Sequence, residues 1–145
     1  MLLTVIPQLV SADQLLAHVF GDYIFQSDWM AQNKTKRTLP AVAHVLTYAI
    51  PFILLLSFQG VPGVKQLLPL LVILGTHLVI DRFRLARYLV WLKNWIAPTS
   101  NAPWSECAGT GYHKDVPPWM SVWLMIIVDN SLHVLINALA LKFLV

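Results

Sequence analysis

Four stretches of mostly apolar residues, each long enough to cross a membrane as a helix, dominate the pattern of the chain. The second contains no Asp, Glu, Lys or Arg, the fourth has Asp129 and His133 in its interior, and the third becomes basic after Ile80. The first is the least apolar. Because about 20 mostly apolar residues span a bilayer, the pattern predicts an all-α polytopic membrane protein. It would be a single domain, a bundle of about four transmembrane helices over residues 12–31, 40–58, 66–90 and 119–142.

Basic residues are concentrated in two of the three connections. The first connection carries Lys34, Lys36 and Arg37, and further basic residues lie at the end of the third helix and in the long connection at about 91–118. The second connection has only Lys65. Because connections rich in lysine and arginine stay in the cytoplasm, the first and third are predicted to be cytoplasmic. Both termini would then lie on the non-cytoplasmic side.

The composition strengthens the membrane prediction. The chain is 57% hydrophobic and 12% charged, against about 45–50% and about 25% in a soluble domain, so most apolar side chains are expected to contact membrane lipids. The net charge of +3 comes from residues at the ends of apolar stretches, and no nucleic-acid partner is expected. A single cysteine, Cys107, excludes an intrachain disulfide and a CxxC zinc site. So small a bundle makes a homo-oligomer plausible, although no motif specifies one.

Histidine and aspartate recur in pairs inside the apolar stretches. The pairs are His18 and Asp22, His77 and Asp81, and, in reversed order, Asp129 and His133; His44 adds an imidazole to the second stretch. Residues four apart lie on one face of a helix. Each pair can therefore point into the bundle from its own helix.

Burying these pairs requires a compensating charge. An aspartate at the centre of a membrane helix costs about 2.5–3.5 kcal/mol. A divalent cation supplies the compensation, because neutral imidazole and carboxylate are ordinary ligands of zinc, iron and manganese. Zinc is the first choice, with iron and manganese as alternatives. The predicted metal ligands are His18, Asp22, His44, His77, Asp81, Asp129 and His133.

Depth along the helices divides the candidates into two layers. At 1.5 Å of rise per residue, one layer near the cytoplasmic end holds His44, His77, Asp81 and Asp28. A deeper layer holds the remaining candidates, His18, Asp22, Asp129 and His133. This arrangement leaves room for two metal ions. Two other hypotheses stay open: the groups form a proton or ion path, or the pairs only fix helix packing.

Four motifs resemble a known family of bacterial and phage membrane proteins. They are AHVFGDYIFQSDWM at 17–30, His44, THLVIDR at 76–82 and VDNSLH at 128–133. The family is known as domain of unknown function 3307, and the resemblance extends over nearly the whole chain. It implies an integral protein of the bacterial inner membrane. The pattern is more loosely similar to membrane-bound metal-dependent hydrolases.

This looser similarity leads to the main functional hypothesis, a membrane-embedded metal-dependent hydrolase acting on a lipid or lipid-linked substrate. The metal would activate a water, Asp28 or Asp22 would act as general base, and Arg82 and Arg84 would bind an anionic headgroup. The alternatives are a proton-conducting or transport module and a non-enzymatic phage or envelope protein. An enzyme predicts bound metal and a lipid-accessible opening. Transport predicts a water path to both faces, and packing alone predicts no cavity.

Overall fold

The structure, a computed structural model, describes residues 10–97 and 101–145. The described chain forms seven α-helices and one π-helical turn, which confirms the predicted all-α class. The elements are α1 (Ala12–Val19), the π-helical turn Phe20–Ile24, α2 (Asp28–Asn33), α3 (Thr38–Phe58), α4 (Gly63–Phe83), α5 (Ala86–Ile96), α6 (Trp104–Cys107) and α7 (Pro118–Leu144).

Four helices form a ring around the centre of the bundle. Helix α1 packs against α3, α3 against α4, α4 against α7, and α7 against α1. An apolar core fills the half of the ring where α3 ends and α4 begins. Its buried residues are Ala17, Tyr48, Phe52, Ile73 and Ala140. The predicted bundle of about four helices is confirmed.

Three helices of the described chain, α3, α4 and α7, are long and apolar enough to cross a membrane. Their most apolar windows have mean hydropathies of 2.0, 1.7 and 1.8, and at most 50% of each window is buried in the protein. Large apolar side chains such as Leu46, Leu71 and Ile127 are exposed. A helix of 21 residues is about 32 Å long, enough for a hydrocarbon layer of about 30 Å. The chain is therefore a polytopic membrane protein.

The first predicted helix, 12–31, is divided into two short helices. The π-helical turn closes with a hydrogen bond from the Phe25 N–H to the Phe20 carbonyl at 2.9 Å. Ser27 is extended, and its side chain accepts a hydrogen bond from the Met30 N–H at the start of α2, as an N-cap serine does. The run from Ala12 to Ile24 rises only about 20 Å. Both termini lie on the same side of the membrane only if a fourth segment also crosses it. The predicted non-cytoplasmic position of both termini therefore stays a prediction.

The predicted third helix, 66–90, ends at Phe83 and is followed by the separate helix α5. Arg84 has a φ of 52°, in the left-handed region where glycine usually ends a helix. The Leu85 N–H donates to the Ile80 carbonyl at 2.9 Å and the Arg84 N–H to the Asp81 carbonyl at 3.2 Å, a Schellman pattern. The sequence becomes basic here, with Arg82, Arg84 and Arg87, but arginines are common at the ends of membrane helices and gave no sign of the break.

The connection predicted at 91–118 is more regular than expected, because α5 extends to residue 96 and α6 lies within it. Two arginines hold its central part. Arg84 Nη2 donates to the Gly109 carbonyl at 2.9 Å and Arg87 Nη1 to the Ala108 carbonyl at 3.0 Å. Gly111, with a φ of 83°, packs directly against the backbone of α5.

Replacing Gly111 with alanine is expected to destabilise the protein. The new Cβ would overlap the Arg87 carbonyl oxygen, and an L-residue at this φ costs about 1–3 kcal/mol by itself. Gly109→Ala is the control, because its Cβ would meet open space. Thermal unfolding in detergent, followed by circular dichroism, should show a lower midpoint for Gly111→Ala alone. Equal midpoints for the two variants would contradict the packing of this loop on α5.

Candidate metal centre

Four buried side chains from three elements converge on one point. Asp22 comes from the π-helical turn, His44 from α3, and His77 and Asp81 from α4. His44 Nε2 lies 3.1 Å from Asp22 Oδ1, 2.9 Å from His77 Nε2 and 3.2 Å from Asp81 Oδ2. One ligand atom from each residue lies within 4.8 Å of the others. Two imidazoles and two carboxylates with this geometry can hold a divalent metal ion.

A second group shares Asp81 with the first. Asp81 Oδ2 faces His44 and His77, whereas Asp81 Oδ1 lies 3.2 Å from His133 Nε2. His133 Nε2 is also 3.7 Å from Asp129 Oδ2, one turn earlier on α7. Asp81, Asp129 and His133 thus form a second cluster that can hold a metal. The predicted His–Asp pairs on α4 and α7 do come together, because the Asp81 carboxylate contacts His77 of its own pair and His133 of the other.

The two layers predicted from depth are rearranged. Asp22 joins His44 and His77 instead of the deeper group, because the π-helical turn and the bend after it place this residue beside α3. Asp28 is exposed at the first turn of α2 and is not part of either cluster. Asp81, assigned to one layer, contributes an oxygen to each cluster.

His18 lies beside the clusters and is held by other partners. Its Nδ1 is 2.8 Å from Tyr48 Oη and its Nε2 is 2.8 Å from Asn130 Oδ1. Asn137 Nδ2 donates to the same Tyr48 hydroxyl at 2.7 Å. Both ring nitrogens are thus engaged, and Nε2 lies 3.8 Å from Asp22 Oδ2, so His18 is a neighbour of Asp22 and belongs to neither cluster.

Tyr48 is a site residue that the sequence analysis missed. Its ring stacks on the His77 imidazole with centroids 3.8 Å apart and an interplanar angle of 17°. The ring has room because Gly21 carries no side chain; a Cβ there would lie 2.5 Å from Tyr48 Cδ2. The Nδ1 atoms of His44 and His77 are buried without a hydrogen-bond partner among the described residues. The stacking contact with Tyr48 therefore helps to fix the ring orientation of His77.

Lys34 is the second missed residue. Its Nζ lies 2.6 Å from Asp81 Oδ2, 3.1 Å from His44 Nε2 and 3.9 Å from Asp22 Oδ1. The residue follows α2 directly, and the break at Ser27 turns this short helix so that its end reaches the cluster. The sequence analysis placed Lys34 among the cytoplasmic charges, since nothing in its spacing distinguishes it from Lys36.

The two predicted headgroup arginines have different surroundings. Arg82 donates to the backbone carbonyls of Thr35 and Lys36 at 2.6 and 3.3 Å, which ties α4 to the turn before α3. Arg84 lines a cavity of about 320 Å³ beside the first cluster. Asp22, Asp81, Asp129 and Lys34 line this cavity together with Met125 and Ile126 of α7.

A separate histidine–carboxylate group lies in the loop after α5. His113 Nε2 is 2.7 Å from Glu106 Oε2, and His113 Nδ1 is 3.2 Å from Asp115 Oδ2. The hydrogen bond with His113 is the main reason that the pKa of the Glu106 carboxyl is lowered from its ordinary value. The group is partly exposed, and neither metal cluster includes it.

Fold and site together define a polytopic helical membrane protein with a buried histidine–aspartate centre. The model of the family described as "Protein of unknown function (DUF3307)" matches residues 10–145. The chain belongs to this family, as its motifs indicated. No curated protein and no solved structure matches the chain.

The Tyr48 hydroxyl is expected to stabilise the centre measurably. Tyr48→Phe keeps the ring stacked on His77 but leaves His18 Nδ1 and Asn137 Nδ2 without this partner. The expected loss is about 1–2 kcal/mol of unfolding free energy, measured by denaturant titration in mixed micelles. Tyr88→Phe is the control, since the Tyr88 hydroxyl bonds Arg87 at an exposed position. A Tyr48→Phe variant as stable as Tyr88→Phe would show that the buried network contributes nothing.

Proposed function

We propose that the protein is a membrane-embedded, divalent-metal-dependent hydrolase that acts on a lipid or lipid-linked substrate. One observation carries the proposal. Four polar atoms surround His44 Nε2 within 3.2 Å: Lys34 Nζ, Asp22 Oδ1, His77 Nε2 and Asp81 Oδ2. A ring nitrogen carries at most one hydrogen. Hydrogen bonds alone leave this set poorly satisfied, whereas a shared cation suits the imidazole nitrogens and carboxylate oxygens of His44, His77, Asp22 and Asp81.

The charge balance also favours a cation. Asp22 and Asp81 are buried at 6% and 7% exposure, in a bundle surrounded by apolar side chains. Lys34 provides one positive charge for the two carboxylates, and Asp129 adds a third carboxylate nearby. Buried charges need close compensation. A divalent ion provides it, and zinc suits two imidazoles with carboxylate oxygens best, with iron or manganese as alternatives.

The cavity favours a ligand-binding role over packing alone. It opens beside Asp22 and Asp81, so a bound molecule would have direct access to the metal. Its wall of Met125 and Ile126 suits an apolar chain. An ion path is disfavoured by the apolar core beyond Tyr48, where Phe52 and Ile73 are both 0% exposed.

Hydrolysis needs an activated water and a proton acceptor. A metal ion at this site would lower the pKa of a water to about 7. Asp129 lines the cavity and is 24% exposed, so with a single ion, bound at the first cluster, we assign it the role of general base. Asp22 is engaged by His44, and Asp28 lies outside the cluster. The water oxygen bonds to the substrate, the bond to the leaving oxygen breaks, and Asp129 returns the proton to that oxygen.

Metal analysis tests the proposal first. Detergent-purified protein, reconstituted with zinc and dialysed, is expected to hold one or two ions per chain by plasma mass spectrometry. The double variant His77→Ala, Asp81→Ala should lose them, because it removes two ligands of the first cluster and one of the second. His113→Ala, which removes an imidazole that belongs to neither cluster, should retain them. Incubated with a bacterial total lipid extract, the loaded protein should release a hydrolysis product.

The outcomes separate the two parts of the proposal. If no metal is retained after reconstitution with zinc, iron or manganese, the metal centre is rejected and hydrolysis with it. Retained metal without any lipid product would keep the centre and reject the hydrolase.

A further inference from the structure

Two cations face the cavity next to the metal ligands. Lys34 and Arg84 both line it, together with Asp22, Asp81 and Asp129. Without a metal ion the carboxylates outnumber the cations and repel an anion. With a divalent ion bound to Asp22 and Asp81, the balance of charge changes from negative to positive. On the basis of the proposed function, the loaded site should therefore attract an anionic group.

Lys34 and a metal ion compete for the same oxygen atoms. The Lys34 ammonium lies 2.6 Å from Asp81 Oδ2, the oxygen that also faces His44 and His77. An ammonium and a metal ion that share one carboxylate oxygen would repel each other strongly in a medium of low dielectric constant. A metal ion at the cluster would displace the ammonium, and the flexible lysine stem allows it to move into the cavity that Lys34 lines. Arg84 lines the same cavity.

Arg84 is held in place at the cavity, where it can bind an anionic group. Its backbone is fixed in the left-handed conformation that ends α4, and a non-glycine residue there is strained. One guanidinium nitrogen donates to the Gly109 carbonyl. Because a guanidinium has five N–H donors, donors remain for a second acceptor.

We propose that the substrate is a phosphate ester of a lipid, with its phosphate bound by Lys34 and Arg84 beside the metal ion. Phosphate presents several charged oxygens, and arginine, lysine and a metal ion are its usual partners. The chain of the lipid would lie against Met125 and Ile126. In the reaction a water oxygen bonds to phosphorus, the ester P–O bond breaks, and the leaving oxygen takes the proton.

Phosphate binding tests this inference separately from the metal centre. Inorganic phosphate and a short-chain phosphatidic acid are titrated calorimetrically into zinc-loaded and zinc-free full-length protein. Both probes should bind the zinc-loaded protein only, and the lipid more tightly than inorganic phosphate. Lys34→Met should retain zinc and lose about tenfold or more in affinity for both. Lys36→Met, two residues away and exposed, should bind as the wild type does.

A second variant keeps the test valid if Lys34→Met misfolds. Arg84→Gly removes the guanidinium but suits the positive φ, so it should fold, retain zinc and bind phosphate about tenfold more weakly. Unchanged phosphate affinity in both folded variants, or equal binding by zinc-free protein, would overturn the inference. So would loss of zinc in Lys34→Met. Equal affinity for the two probes would reject the lipid in favour of free phosphate. A wild-type protein that holds no zinc, iron or manganese would instead reject the proposed function.

Discussion

The burial of Asp22 and Asp81 around His44 Nε2 is the constraint on which the rest of the structure depends. Two carboxylates inside an apolar bundle are unfavourable unless cations and hydrogen-bond donors reach them. The fold supplies these from every side: His44 from α3, His77 from α4 and Lys34 from the end of α2. Two irregular features near the site, the π-helical turn and the break at Ser27, place Asp22 and Lys34 in this cluster.

The irregular features are local departures from helix geometry. The π-helical turn carries Asp22, and π-helical turns are frequent at functional sites. The break at Ser27 directs Lys34 inward, and the left-handed Arg84 ends α4 just after Asp81. The regular parts of α3, α4 and α7 face lipid and one another. The same helices also carry His44, His77 and His133 on their inner faces, so stability in the membrane and the proposed chemistry share these elements.

The sequence revealed the helical class, the approximate bundle and the His–Asp pairs, because apolar periodicity and buried charges are strong local signals. It did not reveal Lys34 or Tyr48. A lysine at a helix end resembles a topology signal until the tertiary fold directs it inward, and a tyrosine in an apolar helix resembles a packing residue. The break at Arg84 was also hidden, since a non-glycine left-handed residue is fixed by contacts such as the hydrogen bond to Gly109. The serine cap at Ser27 was readable in the sequence.

The most direct test of the account is the coordination shell of bound zinc, measured by X-ray absorption on the detergent-purified protein. The account predicts nitrogen and oxygen ligands at about 2.0–2.2 Å, with the multiple-scattering signature of two or three imidazoles. A sulfur ligand at about 2.3 Å would place the zinc at Cys107, outside the bundle. A shell of oxygen atoms without imidazole would mean a surface-bound ion. Either result would contradict the metal centre formed by Asp22, His44, His77 and Asp81.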